Sequence, residues 1–240
     1  MTLSNDSRDR VKQAFEPVAL AMGRAGLTPD GVTLIGFGIT VGGAVLLSQQ
    51  LWLVGGLVVF LGGIFDMFDG TLARATGQVS KLGAFMDSVF DKAGEIVAYL
   101  GIVAGLQAFG VPEGPLLAAA AMGAAVMVSY TRSRAEGLGF TAGAGMAAVG
   151  MMPREVRLVI LSFGLVAAGL IGAYPGQALD CQVSPLMPLD CGPFSSGIGY
   201  LFIALAIIAI GGLLTTIQRI IHVRNQARPQ ASSQPTETNT

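Results

Sequence analysis

Residues 31–65 contain no charged side chain. A helix needs about 20 apolar residues to cross the hydrocarbon core of a bilayer, so this run is long enough for two crossings. Ser48-Gln49-Gln50 is the natural break, which predicts a hairpin of spans. Inside lipid the backbone has no water to bond, and a helix satisfies its own N–H and C=O groups. Four more stretches have the same character: residues 83–109, 115–134, 153–173 and 197–222. The expected fold is an all-α integral membrane protein with six transmembrane helices. Residues 137–150 are apolar but so rich in glycine that they read as a loop, which softens the ends of the fourth and fifth spans.

Composition agrees. Hydrophobic residues make up 52% of the chain and charged ones 12%, where a soluble domain carries roughly 25% charged. A net charge of −1 and the lack of a basic tract argue against a nucleic-acid binder. The 34 glycines suit close helix approach in lipid, where water does not drive association. Basic residues are lopsided. The loops at 48–52, 110–114 and 174–196 hold no Lys or Arg, and all 14 lie on the other side or on helix ends facing it. The positive-inside rule then puts both termini at the cytoplasmic face of the cell membrane.

Residues 1–30 are expected to be a cytoplasmic juxtamembrane segment, with too long a polar lead for a cleaved signal peptide. Within it, residues 9–22 fit an amphipathic interfacial helix or a plain cytosolic lead-in. Residues 31–224 make the six-helix domain, and 225–240 a polar tail expected to be disordered. Cys181 and Cys191 share the long exterior loop, as a disulfide or as two free thiols, and neither is expected to be catalytic.

Against this apolar background, four of the 15 acidic residues fall together as D-x-x-D-G-x-x-A-R-x(8)-G-x-x-x-D-x-x-x-D, from Asp66 and Asp69 to Asp87 and Asp91. Spacings of three and four put each pair on one helix face, so two neighbouring helices can aim all four carboxylates into one pocket. Carboxylates at close quarters repel and do not all stay ionised unaided, and divalent cations resolve the conflict. Hard oxygen ligands suit Mg²⁺ or Mn²⁺, and no Cys or His lies near to favour zinc or copper. Gly70 removes a side chain where a ligand can lie against the helix, and Gly83 offers a second close approach. Arg74, one turn beyond Gly70, brings a fork-shaped guanidinium suited to phosphate. Together these describe a site for a metal-bound pyrophosphate. Any one aspartate pair is commonly a solvated cap, but the eight fixed positions together call for a shared ligand. Intramembrane carboxylates also occur in cation transporters, which place them nearer mid-bilayer and without an arginine beside the path. A non-catalytic membrane scaffold would give no cause for such a constrained set.

Residues 66–91 resemble the defining motif of the CDP-alcohol phosphatidyltransferase family at every fixed position. Leu27-Thr28-Pro29-Asp30-Gly31-Val32-Thr33 resembles that family's L-T-P-N-x-[IVL]-T segment, with Asp30 in place of the frequent Asn. The resemblance implies transfer of a phosphatidyl group from CDP-diacylglycerol to an alcohol, with release of CMP. It implies a centre of two Mg²⁺ or Mn²⁺ ions on Asp66, Asp69 and Asp87, with Asp91 both a metal ligand and the proton acceptor. It also implies CDP-lipid contacts from Pro29, Asp30, Gly31, Val32, Thr33, Asp66, Asp69, Gly70, Arg74 and Ser80, and a homodimer in the membrane.

The second cytoplasmic loop is basic. Arg132 and Arg134 precede the glycine-rich stretch, and Arg154 and Arg157 follow it. They fit a cationic pocket for a phosphorylated acceptor, or ordinary positive-inside topology. S-Y-x-R-x-R-A-E-x-x-G, a following P-R-E-x-R and Asp87-Ser88-Val89-Phe90-Asp91-Lys92 resemble the family's inositol-phosphate branch, the phosphatidylinositol phosphate synthases and their archaeal relatives. That branch usually reads R-x-E-R where this chain has Arg154-Glu155-Val156-Arg157. The implied acceptor is a small phosphorylated alcohol, inositol 1-phosphate, held by Arg134, Arg154 and Arg157 with Arg132. Glycerol 3-phosphate and unphosphorylated inositol are the alternatives.

Overall fold

The computed structural model describes residues 17–140, 149–171 and 197–227. Among them there is helix and turn but no strand. Helix α1 is described over residues 17–24, and six long helices follow: α2 Pro29–Ser48, α3 Trp52–Ala75, α4 Lys81–Phe109, α5 Gly114–Gly137, α6 Arg154–Leu170 and α7 Ile198–Ala227. By length and composition α2, α3, α5 and α7 can each cross a membrane. Of the other two, α4 carries Asp87, Asp91, Lys92 and Glu95 in its first half, and α6 has 17 residues. The chain is an all-helical, multi-pass membrane protein.

Local signals explain the boundaries. Thr28 caps α2 by accepting the Gly31 N–H at 3.1 Å, and Pro29 takes the first position, where a missing N–H costs nothing. Ser80 caps α4 in the same way, 2.9 Å from the Gly83 N–H. The predicted break at Ser48-Gln49-Gln50 is where α2 ends, and Gln50 turns the chain with φ 66°. Gly110 ends α4 in the left-handed conformation, φ 84°, which favours glycine. Helix α7 runs through Ala227, past the point where the sequence suggests a tail. Cys181, Cys191 and residues 228–240 lie outside the described residues.

The helices close into a ring in the order α3, α2, α4, α5, α7, α6 and back to α3. Glycines set the closest approaches. A Cβ on Gly43 would sit 2.9 Å from the Val59 backbone nitrogen, and one on Gly101 would strike the Ala44 backbone. The core of Leu47, Trp52, Tyr99, Leu106, Leu165 and Leu205 fills the middle of the bundle. A second cluster joins Ala19 of α1 to Val32, Phe68 and Leu72. It ties α1 to the bundle end where α2, α4 and α6 begin and α3, α5 and α7 finish. At that end α4 and α6 face each other across a cavity instead of packing backbone to backbone.

Candidate active site

The last turns of α3 and the first turns of α4 meet at this end. Carboxylate oxygens of Asp66, Asp69 and Asp87 all lie within 4.8 Å of one another, close enough to share a cation. Asp69 is only 5% exposed. The Thr33 hydroxyl donates to its Oδ2 at 2.5 Å, and the Gly70 N–H donates to its Oδ1. Asp91 joins the group differently. Arg154 Nη1 lies 2.6 Å from Asp66 Oδ2 and 2.9 Å from Asp91 Oδ1, bridging α6 to both α3 and α4. The second contact is close but not aligned as a hydrogen bond, so Asp91 Oδ1 is buried without a donor. A buried carboxylate oxygen lacking a donor, beside three crowded carboxylates, fits a hard divalent cation. Asp66, Asp69 and Asp87, with Asp91 adjacent, are the residues that would hold one.

The other sequence-predicted residues gather on one rim. Pro29 and Gly31 form the capped first turn of α2. Asp30 is exposed, and a Cβ on Gly83 would lie 3.3 Å from its Oδ1, so the starts of α2 and α4 adjoin. Val32 is core, packed with Phe68 and Leu72. The Ser80 hydroxyl oxygen accepts the Gly83 N–H. Arg74 is exposed and folds over Gly70, where a Cβ would meet its Nη1 at 3.3 Å, leaving the guanidinium facing the gap that Gly70 creates.

The four arginines expected on the acceptor side separate into distinct settings. Arg134 is exposed near the end of α5. Arg132, on the same turn, pairs with Glu136 at 2.9 Å. Arg154 reaches the carboxylates. Arg157 is 1% exposed; its Nε and Nη2 donate to Glu95 at 2.9 and 3.0 Å, and its Nη1 donates to the Met152 carbonyl at 2.8 Å. Two charged residues escaped the sequence reading. Glu95 extends the Asp87–Asp91 spacing by one more turn, a signal that was available. Arg219 of α7 is buried, donates to the carbonyls of Val149 and Val128, and lies near Arg132 and Arg157. A lone arginine late in an apolar helix was its only trace.

An acidic cluster with arginine beside it, at one end of an apolar helical bundle, suits a metal-bound phosphate ester handled at a membrane, and family comparison gives the class: a membrane-embedded phosphatidyltransferase. The chain belongs to the CDP-alcohol phosphatidyltransferase family, whose family model matches residues 26–223. It is 36% identical to an archaetidylinositol phosphate synthase of Pyrococcus horikoshii over 169 residues, 70% of this chain and 85% of that protein. It is 32% identical to a phosphatidylinositol phosphate synthase of Streptomyces avermitilis over 229 residues, 94% of this chain and 84% of the relative. Among solved structures it is similar to the Mycobacterium tuberculosis phosphatidylinositol phosphate synthase with CDP-DAG bound, at TM-score 0.68 and 25% identity, covering 88% of this chain and 94% of that one. The same enzyme in complex with manganese and citrate also gives TM-score 0.68 and 25% identity, over 88% of each chain. The chain is thus an enzyme of phospholipid biosynthesis.

Proposed function

We propose that the chain transfers the phosphatidyl group of CDP-diacylglycerol to a hydroxyl of inositol 1-phosphate, giving phosphatidylinositol phosphate and CMP. The observation that carries this reading is the convergence of Asp66, Asp69 and Asp87, with Arg154 laid between them and Asp91. The relatives' names support the acceptor. Asp66, Asp69, Asp87 and Asp91 would hold two divalent ions, Mg²⁺ or Mn²⁺, which would supply positive charge to the pyrophosphate and the departing CMP. Thr33 and the Gly70 N–H keep Asp69 oriented toward them. Pro29 to Thr33, Gly70, Arg74 and Ser80 form the CDP-lipid rim, with the N-termini of α2 and α4 adding positive ends for phosphate. Asp91 takes the proton of the acceptor hydroxyl. The freed oxygen bonds to the phosphorus carrying the lipid, and the bond from that phosphorus to CMP breaks. Arg134 and Arg154, with Arg132, supply positive charge on the acceptor side, which an unphosphorylated alcohol would not need, while Arg157 is buried against Glu95 and acts behind them.

Six membrane spans, with both termini and the site at the cytoplasmic face of the cell membrane, follow from the one-sided basic residues. Homodimerisation is supported by family membership and by small-residue helix faces. The deciding experiment incubates purified protein with CDP-diacylglycerol, Mg²⁺ and each acceptor, and measures CMP. Release with inositol 1-phosphate is expected. Release with glycerol 3-phosphate or inositol instead would overturn the acceptor, and no release with any alcohol would overturn the whole reading.

A further inference from the structure

Helices α4 and α6 do not pack together directly, yet two rungs of charge cross the cavity between them. The upper rung is Asp91 with Arg154, at 2.9 Å. The lower is Glu95 with Arg157, at 2.8 Å. Asp91 and Glu95 are four apart on α4, Arg154 and Arg157 three apart on α6, so each rung lies one helical turn from the other. The lower rung is the better built. Arg157 grips both Glu95 oxygens and is almost wholly buried, while Lys92 Nζ lies 3.2 Å from Glu95 Oε2. Its remaining nitrogen donates to the Met152 carbonyl, pinning the chain just before α6 starts. Helix α6 also packs on α3 and α7, and against α4 the two ion pairs are charged links at this level, so this pair helps set the rotation and height of the α6 start relative to α4.

We propose that Glu95 is a positioning residue: through Arg157 it fixes the first turn of α6 and thereby aims Arg154 at the reaction centre. This rests on the functional reading above, in which Arg154 serves the acceptor phosphate. Glu95 itself touches neither substrate. Its charge matters more than its shape, because a neutral side chain of the same length leaves Arg157 buried without its counter-ion.

Glu95→Gln is therefore expected to raise the KM for the phosphorylated acceptor about tenfold while leaving the KM for CDP-diacylglycerol within about twofold. Glu95→Asp keeps the charge within reach of the long Arg157 side chain and should recover most of the loss. Equal rises in both KM values, or no change in the acceptor KM, would overturn the proposal. A second readout needs no turnover. Nitroxides carried by Val89→Cys and Val156→Cys, both at exposed positions, report the α4–α6 distance by electron spin resonance in a chain with Cys181→Ser and Cys191→Ser. A narrow distribution should broaden with Glu95→Gln and narrow again with Glu95→Asp; an unchanged distribution would overturn the positioning role. A wild-type enzyme silent with every phosphorylated alcohol would sink the functional reading alone, and the distance measurement would still decide what Glu95 does.

Discussion

Asp91 and Asp69 are both aspartates of the same motif, but their neighbours give them different work. Asp69 is held by two donors, the Thr33 hydroxyl and the Gly70 N–H, which fix the carboxylate in the orientation a metal ligand would need. Asp91 has a buried oxygen with no aligned donor and lies between Arg154 and the Asp66 carboxylate, the setting on which its proposed role as proton acceptor rests. Asp91→Asn keeps size and removes basicity. It is expected to abolish CMP release while CDP-diacylglycerol affinity stays within about threefold, by equilibrium binding. Wild-type turnover in that variant would exclude Asp91 as the base. Thr33→Val preserves shape and removes the donor to Asp69. Losing such an outer-shell bond typically lowers metal affinity about 10–100-fold, which a Mn²⁺ titration of the substrate-free protein would read. Unchanged Mn²⁺ affinity would show that Gly70 alone suffices.

Glycine decides how the elements meet. At Gly101 any side chain would run into the Ala44 backbone, and backbone cannot step aside as a flexible side chain can. Gly101→Val should cost about 1–3 kcal/mol by overpacking, seen as a lower melting temperature in detergent, with the KM values of the folded fraction unchanged. A melting temperature equal to wild type would mean that α2 and α4 are not pressed together there. The break between α2 and α3 was legible, because Ser48 to Gln50 is a polar interruption in an apolar run, whereas the far end of α3 was not, since it continues past the apolar run to Ala75. The aspartates were legible for a similar reason, since their spacing is a property of single helices. Glu95 and the distinct setting of Arg157 were not, because each depends on what stands across the cavity from it. Charge patterning groups Arg154 with Arg157, and only packing shows that one faces the carboxylates while the other is locked to Glu95. Arg219 needed the closed ring of helices to bring it near Arg132.

At the scale of the molecule, four helices build the site and none does so alone. Asp66 and Asp69 come from α3, Asp87 and Asp91 from α4, Arg154 from α6, and Thr33 of α2 braces them. A cation bound there ties separate helices together and should stabilise the fold as a whole. Free Mg²⁺ or Mn²⁺ at about one hundred times its dissociation constant contributes about 2.7 kcal/mol. A rise in melting temperature on adding metal, reversed by chelation along with activity, is the expected result; a melting temperature indifferent to both would place the ions elsewhere. The same division of labour bears on how the protein is made. Synthesis delivers the carboxylates of α3 and α4 well before the arginine of α6. Until that last piece arrives, the growing chain lacks the arginine that meets Asp66 and Asp91. A copy released after α5 would therefore carry all four carboxylates without the Arg154 bridge between Asp66 and Asp91.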